Sequence, residues 1–359
     1  MAAQERMSPP AMSPAMSRPH ATIHDVAREA AVSVASVSRA LNGHGNVRPA
    51  MRARVEEVAA RLGYVPHAGA RGLSLARTGA IGVVLPDLHG EFFSELLRGM
   101  DREAGAQGLG LLLTVLHDGR GLDTLAGLRG QVDGLVVMAP QLGAAELRAH
   151  LPRGVPVAFL NCVPGIEAAT GADSALRIDN RAGADAAVAH LVAGGARAIV
   201  HIAGPAGNVD ADERRAGAGD AARAAGVPLR VVAGDFSEDS GARAAERIVD
   251  EWPETDAIFA ANDMMAIGAL VALKRRGVAV PGRMMLAGFD DIPLARLVSP
   301  ALTTMRVDIA ALGARAVRRL ATRIVARREG FEEEPAGRAI IPHLVVRDTT
   351  TETDRGTGS

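Results

Sequence analysis

The residue pattern points to a small all-α head, built as a helix-turn-helix, ahead of a larger α/β body of doubly wound parallel sheets in two lobes. Three observations carry this expectation. Residues 22–63 hold three short segments with apolar residues at helical spacing. From Gly79 onward, short continuous apolar runs alternate with alanine-rich helical stretches, the pattern of parallel strands covered on both faces. That second pattern lasts for roughly 270 residues, more than one ordinary core accommodates, so two lobes are expected.

In the head, Thr22 and Asp25 make an S/T-x-x-D start, a variant of the capping box. Ile23, Val26 and Ala27 give the first helix one apolar face. Ser33 starts the second helix and Asn42-Gly43 ends it. Pro49 opens the third, with Val55, Val58, Ala59 and Leu62 inward and Gly63 as the stop. Only Ala30, Ala31 and Val32 separate the first two helices. So short a joint forces the steep crossing of a helix-turn-helix.

In the body, the strand-like runs are "AIGVVLP", "LGLLLTV", "GLVVMAP", "VPVAFLN", "AIVHIAG", "LRVVAGD", "DAIFAAN", "MMLAGFD" and "AIIPHLVV". Helical stretches such as 180–194, 212–225 and 308–328 separate them. These apolar runs are strand-sized, so no membrane partner is expected. The leader, residues 1–18, is rich in Pro, Ser and Met, has no apolar h-region and reads as disordered. Residues 348–359 read as a disordered tail. The single cysteine, Cys162, excludes an intramolecular disulfide framework, and a cytoplasmic setting fits it.

Charge is uneven along the chain. Residues 19–77 hold eight arginines against Asp25, Glu29, Glu56 and Glu57, a net of +4, while the whole chain is at −1. A basic head on an acidic body points to nucleic acid as the partner of the head. In a helix-turn-helix the second helix enters the major groove. Here that helix, "SVASVSRALNG", is small and carries one arginine. Small side chains let the backbone approach the bases. Val34 and Ala35 can touch thymine methyl groups, and Arg39 can make a bidentate contact to guanine, worth about 1–3 kcal/mol of discrimination. Ser33, Ser36, Ser38 and Asn42 suit phosphates. Val37 and Leu41 face the first helix.

The stretch "TIHDVAREAAVSVASVSRALNGHGNVRPAMRARVEEVAARLGYVPHAGARGL" resembles the head of the LacI/GalR family of bacterial transcription regulators. The resemblance implies base reading by Val34, Ala35 and Arg39, places Thr22 and Arg52 in the same DNA-facing motif, and implies a palindromic double-stranded operator with a central CG step. Residues 67–77, with "HAGARGLSLA", match a hinge helix that orders only on DNA, and Leu73 takes the place of the leucine wedged into the minor groove. The family's usual turn glycine is Ala31 here, which implies strain or a different turn.

The resemblance continues over the body and implies a periplasmic-binding-protein-like core whose two lobes close on a small effector. It divides the chain into a DNA-binding domain at 19–66, the hinge at 67–77 and an effector-binding and dimerisation domain at 78–347, with lobe crossings near 178, 306 and 339. Physical reading supplies cleft candidates beside this. Phe92 and Phe93 are adjacent at a helix start and cannot both face one core, so a role stacking on a sugar ring competes with a core role. Asp263, in "AAND", ends a strand and opens a helix, where it either accepts ligand hydroxyls or caps the helix. Asp290 and Asp291 in "GFDDIP" fall near the cleft rim, and Asp291 is counted with the candidates. The resemblance adds Arg214, Phe236 and Asn161 as pocket residues.

No Gly-x-Ser-x-Gly elbow, P-loop or metal-spaced histidine set is present. "AGPAGN" (203–208) is phosphate-loop-like only as a strand-to-helix turn. Catalytic residues, metals and cofactors are therefore not expected. A transport binding protein would need a signal peptide and no head. The expected protein is a homodimeric repressor of carbohydrate-utilisation genes under a sugar-like effector. A purine or another small metabolite is the alternative ligand. A leucine heptad, which the family's tetramers carry at the C-terminus, is missing from the tail.

Overall fold

The computed structural model describes residues 21–42, 46–64, 77–117, 121–166, 175–329 and 339–351. The chain separates into two units, Met1–Thr78 and Gly79–Ser359. The leader (1–18), most of the hinge with Leu73, and residues 352–359 lie outside the described residues.

The head unit has helices α1 (Ile23–Glu29), α2 (Val34–Leu41) and α3 (Pro49–Leu62). Thr22 and Asp25 form a complete capping box on α1. The Ser33 hydroxyl caps α2 by accepting the Ser36 N–H at 3.1 Å. Pro49 opens α3, and Gly63 closes it in the left-handed region at φ +65°, where a residue without Cβ suffers no clash. Val26, Ala27, Ala30, Val37, Ala40, Val55, Val58 and Ala59 form a small core. In the joint between α1 and α2, Ala31 stands at φ +51°. The turn keeps a glycine-type conformation with an alanine in it, so the sequence difference appears as strain, about 1 kcal/mol.

The body unit contains two sheets. The first has β1 (Ala80–Leu85), β2 (Gly110–Val115), β3 (Gly134–Met138) and β4 (Val157–Leu160), all parallel, in the order β2-β1-β3-β4. Helix α4 (Glu91–Ala106) follows β1, α5 (Leu122–Gly127) follows β2, and α6 (Ala144–His150) follows β3. The second sheet has β5 (Ile199–Ala203), β6 (Leu229–Ala233), β7 (Ala257–Ala260), β8 (Met285–Asp290), β9 (Thr303–Arg306) and β10 (His343–Val345) in the order β10-β9-β8-β7-β5-β6. Helices α7 (Asn180–Ala193), α8 (Val209–Ala224), α9 (Glu238–Glu251) and α10 (Asp263–Arg275) cover it, and α11 (Ile309–Glu329) returns to pack on α4, β3 and β4. The chain thus passes from the first sheet to the second before α7, back after β9, and again to β10. Ile178 and Ile340 bridge each other where two passages run side by side.

Three findings correct the sequence reading. The second sheet is not wholly parallel, because β10 runs antiparallel to β9. Strand β9 had no apolar run to announce it: Thr303 and Thr304 are fully buried and hydrogen-bonded instead. The fold also does not stop at 347. Thr349 is fully buried, donates its N–H to Ala301 O at 3.0 Å and accepts the Leu286 N–H at its carbonyl at 3.0 Å.

Glycine sets how closely the helices meet. A Cβ on Gly99 of α4 would lie 1.9 Å from the Ala310 carbonyl oxygen of α11, and one on Gly217 of α8 would lie 2.1 Å from the Arg181 carbonyl of α7. Backbone-to-backbone packing of this kind is why helices poor in large side chains still close a core. Among the described residues, no helix is long and apolar enough to cross a membrane.

Candidate functional site

The second head helix presents two faces. Val37 and Ala40 are buried, whereas Ala35 and Arg39 are exposed and Val34, Ser36, Ser38 and Asn42 are partly so. Residues 34, 35, 38, 39 and 42 recur at helical spacing on the open side. Arg39 Nε donates to Ala35 O at 3.2 Å, which lays the side chain along the helix surface. Asn42 donates to the Ser38 hydroxyl at 3.3 Å, and the Ser33 and Ser36 hydroxyls lie 2.9 Å apart. The Thr22 hydroxyl donates to Asp25 at 2.7 Å. Arg52 is half-buried on α3.

The body holds a cleft of about 590 Å³ between its lobes. Seven strands direct their carboxyl ends at it, His117 coming just after β2, the usual ligand position in open α/β sheets. The loop after β1 supplies Asp87, His89, Phe92 and Phe93, and β3 supplies Met138 and the following Pro140. From the second lobe come Asn208 and Asp210 after β5, Asp235 and Phe236 after β6, Asn262 after β7 and Asp290 at the end of β8. The "AGPAGN" turn therefore serves as cleft wall.

Arg214 is the centre of the second-lobe wall. Its Nε donates to Asn180 Oδ1 at 2.8 Å, Nη1 to Ala261 O at 2.5 Å and Nη2 to Asp290 Oδ1 at 3.4 Å. Its guanidinium lies 3.8 Å from the Phe289 ring centroid, and its side chain is 5% exposed. Burial pushes Asp290 up to about 7, because the nearby arginine offsets only part of the lost hydration. Asp210 is pushed up to about 6, also by burial. It accepts from Asn180 Nδ2 at 2.8 Å and Asn161 Nδ2 at 3.3 Å.

Of the cleft candidates, Phe92, Phe93, Arg214 and Phe236 line the cavity. Phe92 and Phe93 meet edge to face, with centroids 5.4 Å apart. The other three do not line it. Asn161 is buried behind Asp210 with φ +44°. Asp263 is fully buried and accepts from Thr304 Oγ1 at 2.5 Å and the Ile292 N–H at 2.9 Å. It ties β9 and the loop after β8 to α10, and burial raises its pKa well above the ordinary value. Its neighbour Asn262 does the capping, accepting the Met265 N–H at 2.9 Å, and faces the cleft. Asp291 turns away to pair with Arg306 and with Arg347 at 2.6 Å, beside a second cavity that Arg296 and His343 also line. Asn208, Asp210, Asn262 and the cleft-facing role of Asp290 were missed as site residues. Their shared signal is a polar side chain at a strand end or in the first turn of the helix after it.

Besides the bond from Asn161 to Asp210 behind the cleft wall, hydrogen bonds join the lobes at the cleft rim. His89 Nε2 meets Glu238 Oε2 at 2.8 Å, Leu294 N–H donates to Glu91 Oε2 at 3.0 Å, and Val209 N–H donates to Pro140 O at 3.0 Å. Gly90 and Glu91 stand where the family pattern often has Asn-Pro before the two phenylalanines.

A helix-turn-helix with an exposed arginine on its second helix, in one chain with a two-lobed cleft core, defines a DNA-binding regulator. Sequence comparison agrees. Residues 22–67 match the model of bacterial regulatory proteins of the lacI family, and residues 188–350 match a periplasmic binding protein-like domain. Catabolite control protein A of Priestia megaterium is 34% identical over 306 residues, covering 83% of this chain and 91% of its own. The repressor CytR of Escherichia coli K12 is 34% identical over 79% of this chain and 84% of its own. Among solved structures, a complex of the regulator CelR with cellobiose is 31% identical, with a TM-score of 0.68 over 92% of this chain and all of that one. The lac repressor dimer bound to operator and the anti-inducer ONPF is 27% identical, with a TM-score of 0.78 over 92% and 99%. The chain belongs to the LacI family of bacterial regulatory proteins and is a transcriptional regulator.

Proposed function

We propose that the protein is a cytoplasmic homodimeric repressor of carbohydrate-utilisation genes, released from or driven onto a palindromic operator by a small sugar-like effector in the interlobe cleft. The observation that carries the reading is the cleft itself: two phenylalanines on one wall oppose a buried arginine and two carboxylates on the other. Flat apolar surface and convergent hydrogen-bonding groups together suit a sugar ring, which has an apolar face and a hydroxyl rim. The cellobiose complex of the CelR relative supports the same ligand class. On the head, Val34, Ala35 and Arg39 read bases, while Thr22, Ser33, Ser36, Ser38, Asn42 and Arg52 hold the phosphates.

A mobility-shift titration tests the reading, using DNA upstream of the protein's own gene and a CG-centred palindrome. Specific retention is the expected result, and Arg39→Ala relaxes the preference at one operator position by about 1–3 kcal/mol. No retention of any palindromic site overturns the assignment.

A further inference from the structure

The ligand's charge can be read from how the helices meet the cleft, taking the effector site proposed above as given. Four helices begin at it: α4 at Glu91, α8 at Val209, α9 at Glu238 and α10 at Asp263. Helix starts are ready seats for anions, because their first N–H groups lack intrahelical partners and the helix dipole favours negative charge there. In this protein three of the four seats are already taken, and only α4, which follows Gly90, has no side-chain cap. Asn208 Oδ1 accepts the N–H groups of Asp210 and Ala211 at 3.0 and 3.2 Å. Asn262 Oδ1 accepts that of Met265 at 2.9 Å, and Ser237 Oγ accepts that of Ser240 at 3.1 Å. A carboxylate stands in the first turn of all four helices, in Glu91, Asp210, Glu238 and Asp263.

Against these acids, the described lining residues include one arginine, Arg214, and no lysine. That arginine is buried and already donates to Asn180, to Ala261 O and to Asp290. Asp210 and Asp290 both face the cleft and share it. A phosphate or carboxylate entering here would meet two buried carboxylates and compete with them for the one arginine, with only the histidines His89 and His117 beside it in the lining. A hydroxyl group would instead donate to the carboxylates and accept from the guanidinium N–H groups left over.

We infer that the cleft selects a polyhydroxylated ligand carrying no phosphate or carboxylate group, and rejects the phosphorylated or uronic-acid counterpart of the same ring. An amino group on the ligand is accepted, since it adds positive charge beside two acids.

Calorimetric and thermal-shift titrations of the full chain test this with matched probes: glucose, glucosamine, glucose 6-phosphate and glucuronate, together with ribose, cellobiose and inorganic phosphate. The neutral and amino compounds bind, and each anionic counterpart binds about tenfold more weakly or worse. An anionic compound binding as tightly as its neutral counterpart overturns the inference. If no neutral or amino sugar binds, the sugar reading fails, and inorganic phosphate still decides the charge question. Phosphate leaves the wild type unshifted but stabilises Asp210→Asn, which keeps Arg214 and removes one acid. Phosphate binding by the wild type that Arg214→Gln abolishes overturns the exclusion of anions.

Discussion

The two walls of the cleft are built on different principles. The first-lobe wall sets exposed apolar surface, Phe92, Phe93, Met138 and Pro140, beside the polar Asp87, His89, His117 and Gln141, and its two rings are only half-buried. The second-lobe wall is a buried polar network in which Arg214, Asn180, Asp210 and Asp290 restrain one another. Apolar surface can shift at small expense, because it has no directional partners to lose. A buried network cannot, because every broken hydrogen bond leaves a desolvated group behind. The difference assigns orientation of the ligand to the second lobe and area of contact to the first.

The largest test of that contrast is Arg214→Ala. Removing the cation strands Asp290 and Asp210, and removing one partner of a buried pair costs about 3–5 kcal/mol. Urea denaturation should show most of that loss, and ligand response should vanish with it. A loss no larger than that of an average surface substitution would mean the network is not a rigid unit.

The next effect is a pH dependence confined to the same wall. Asp290 holds its proton up to about 7 in the folded protein, against an ordinary 3.8. Between those values the folded state binds a proton that the unfolded state has released, so this carboxyl makes stability fall as pH rises from about 4 to about 7. Asp290→Asn should flatten the decline by about one proton over that window, read from denaturation at a series of pH values. Equal slopes in both proteins would place the raised acidity elsewhere.

Smaller changes follow on the other wall. Phe93→Ala should weaken ligand binding by about tenfold, or 1.4 kcal/mol, while lowering stability less than Arg214→Ala does. Last comes the rim. His89 and Glu238 are each close to half exposed, so His89→Ala should change stability by no more than about 1 kcal/mol. Its effect should appear mainly as faster ligand release in stopped-flow measurements. A stability loss matching that of Arg214→Ala would mean the rim contact holds the lobes together by itself.

Local signals were readable from the residues. Thr22 with Asp25, Pro49 and Gly63 mark helix ends through chemistry that involves only near neighbours, and the apolar strands of the body identify themselves. What escaped depends on distant partners. Thr303 and Thr304 can be buried only because residues far along the chain, Thr349 and Asp263, satisfy them. The one-residue errors at Asp263 and Asp291 have a related origin. Adjacent residues at a strand end point in different directions, and which of them meets the cleft depends on backbone angles. Asp290 and Asp291 stand at φ +112° and +55°, values a residue pattern does not announce for aspartate.

Ala31 has a consequence for the order in which the molecule comes apart. A folded unit gains roughly 0.05–0.15 kcal/mol per residue, so a head with eight buried core residues has little in reserve. A turn strained by about 1 kcal/mol raises the open population of such a unit about fivefold. Hydrogen exchange should accordingly find the α1–α2 amides the fastest of the helical amides, and Ala31→Gly should slow them without touching those of the body.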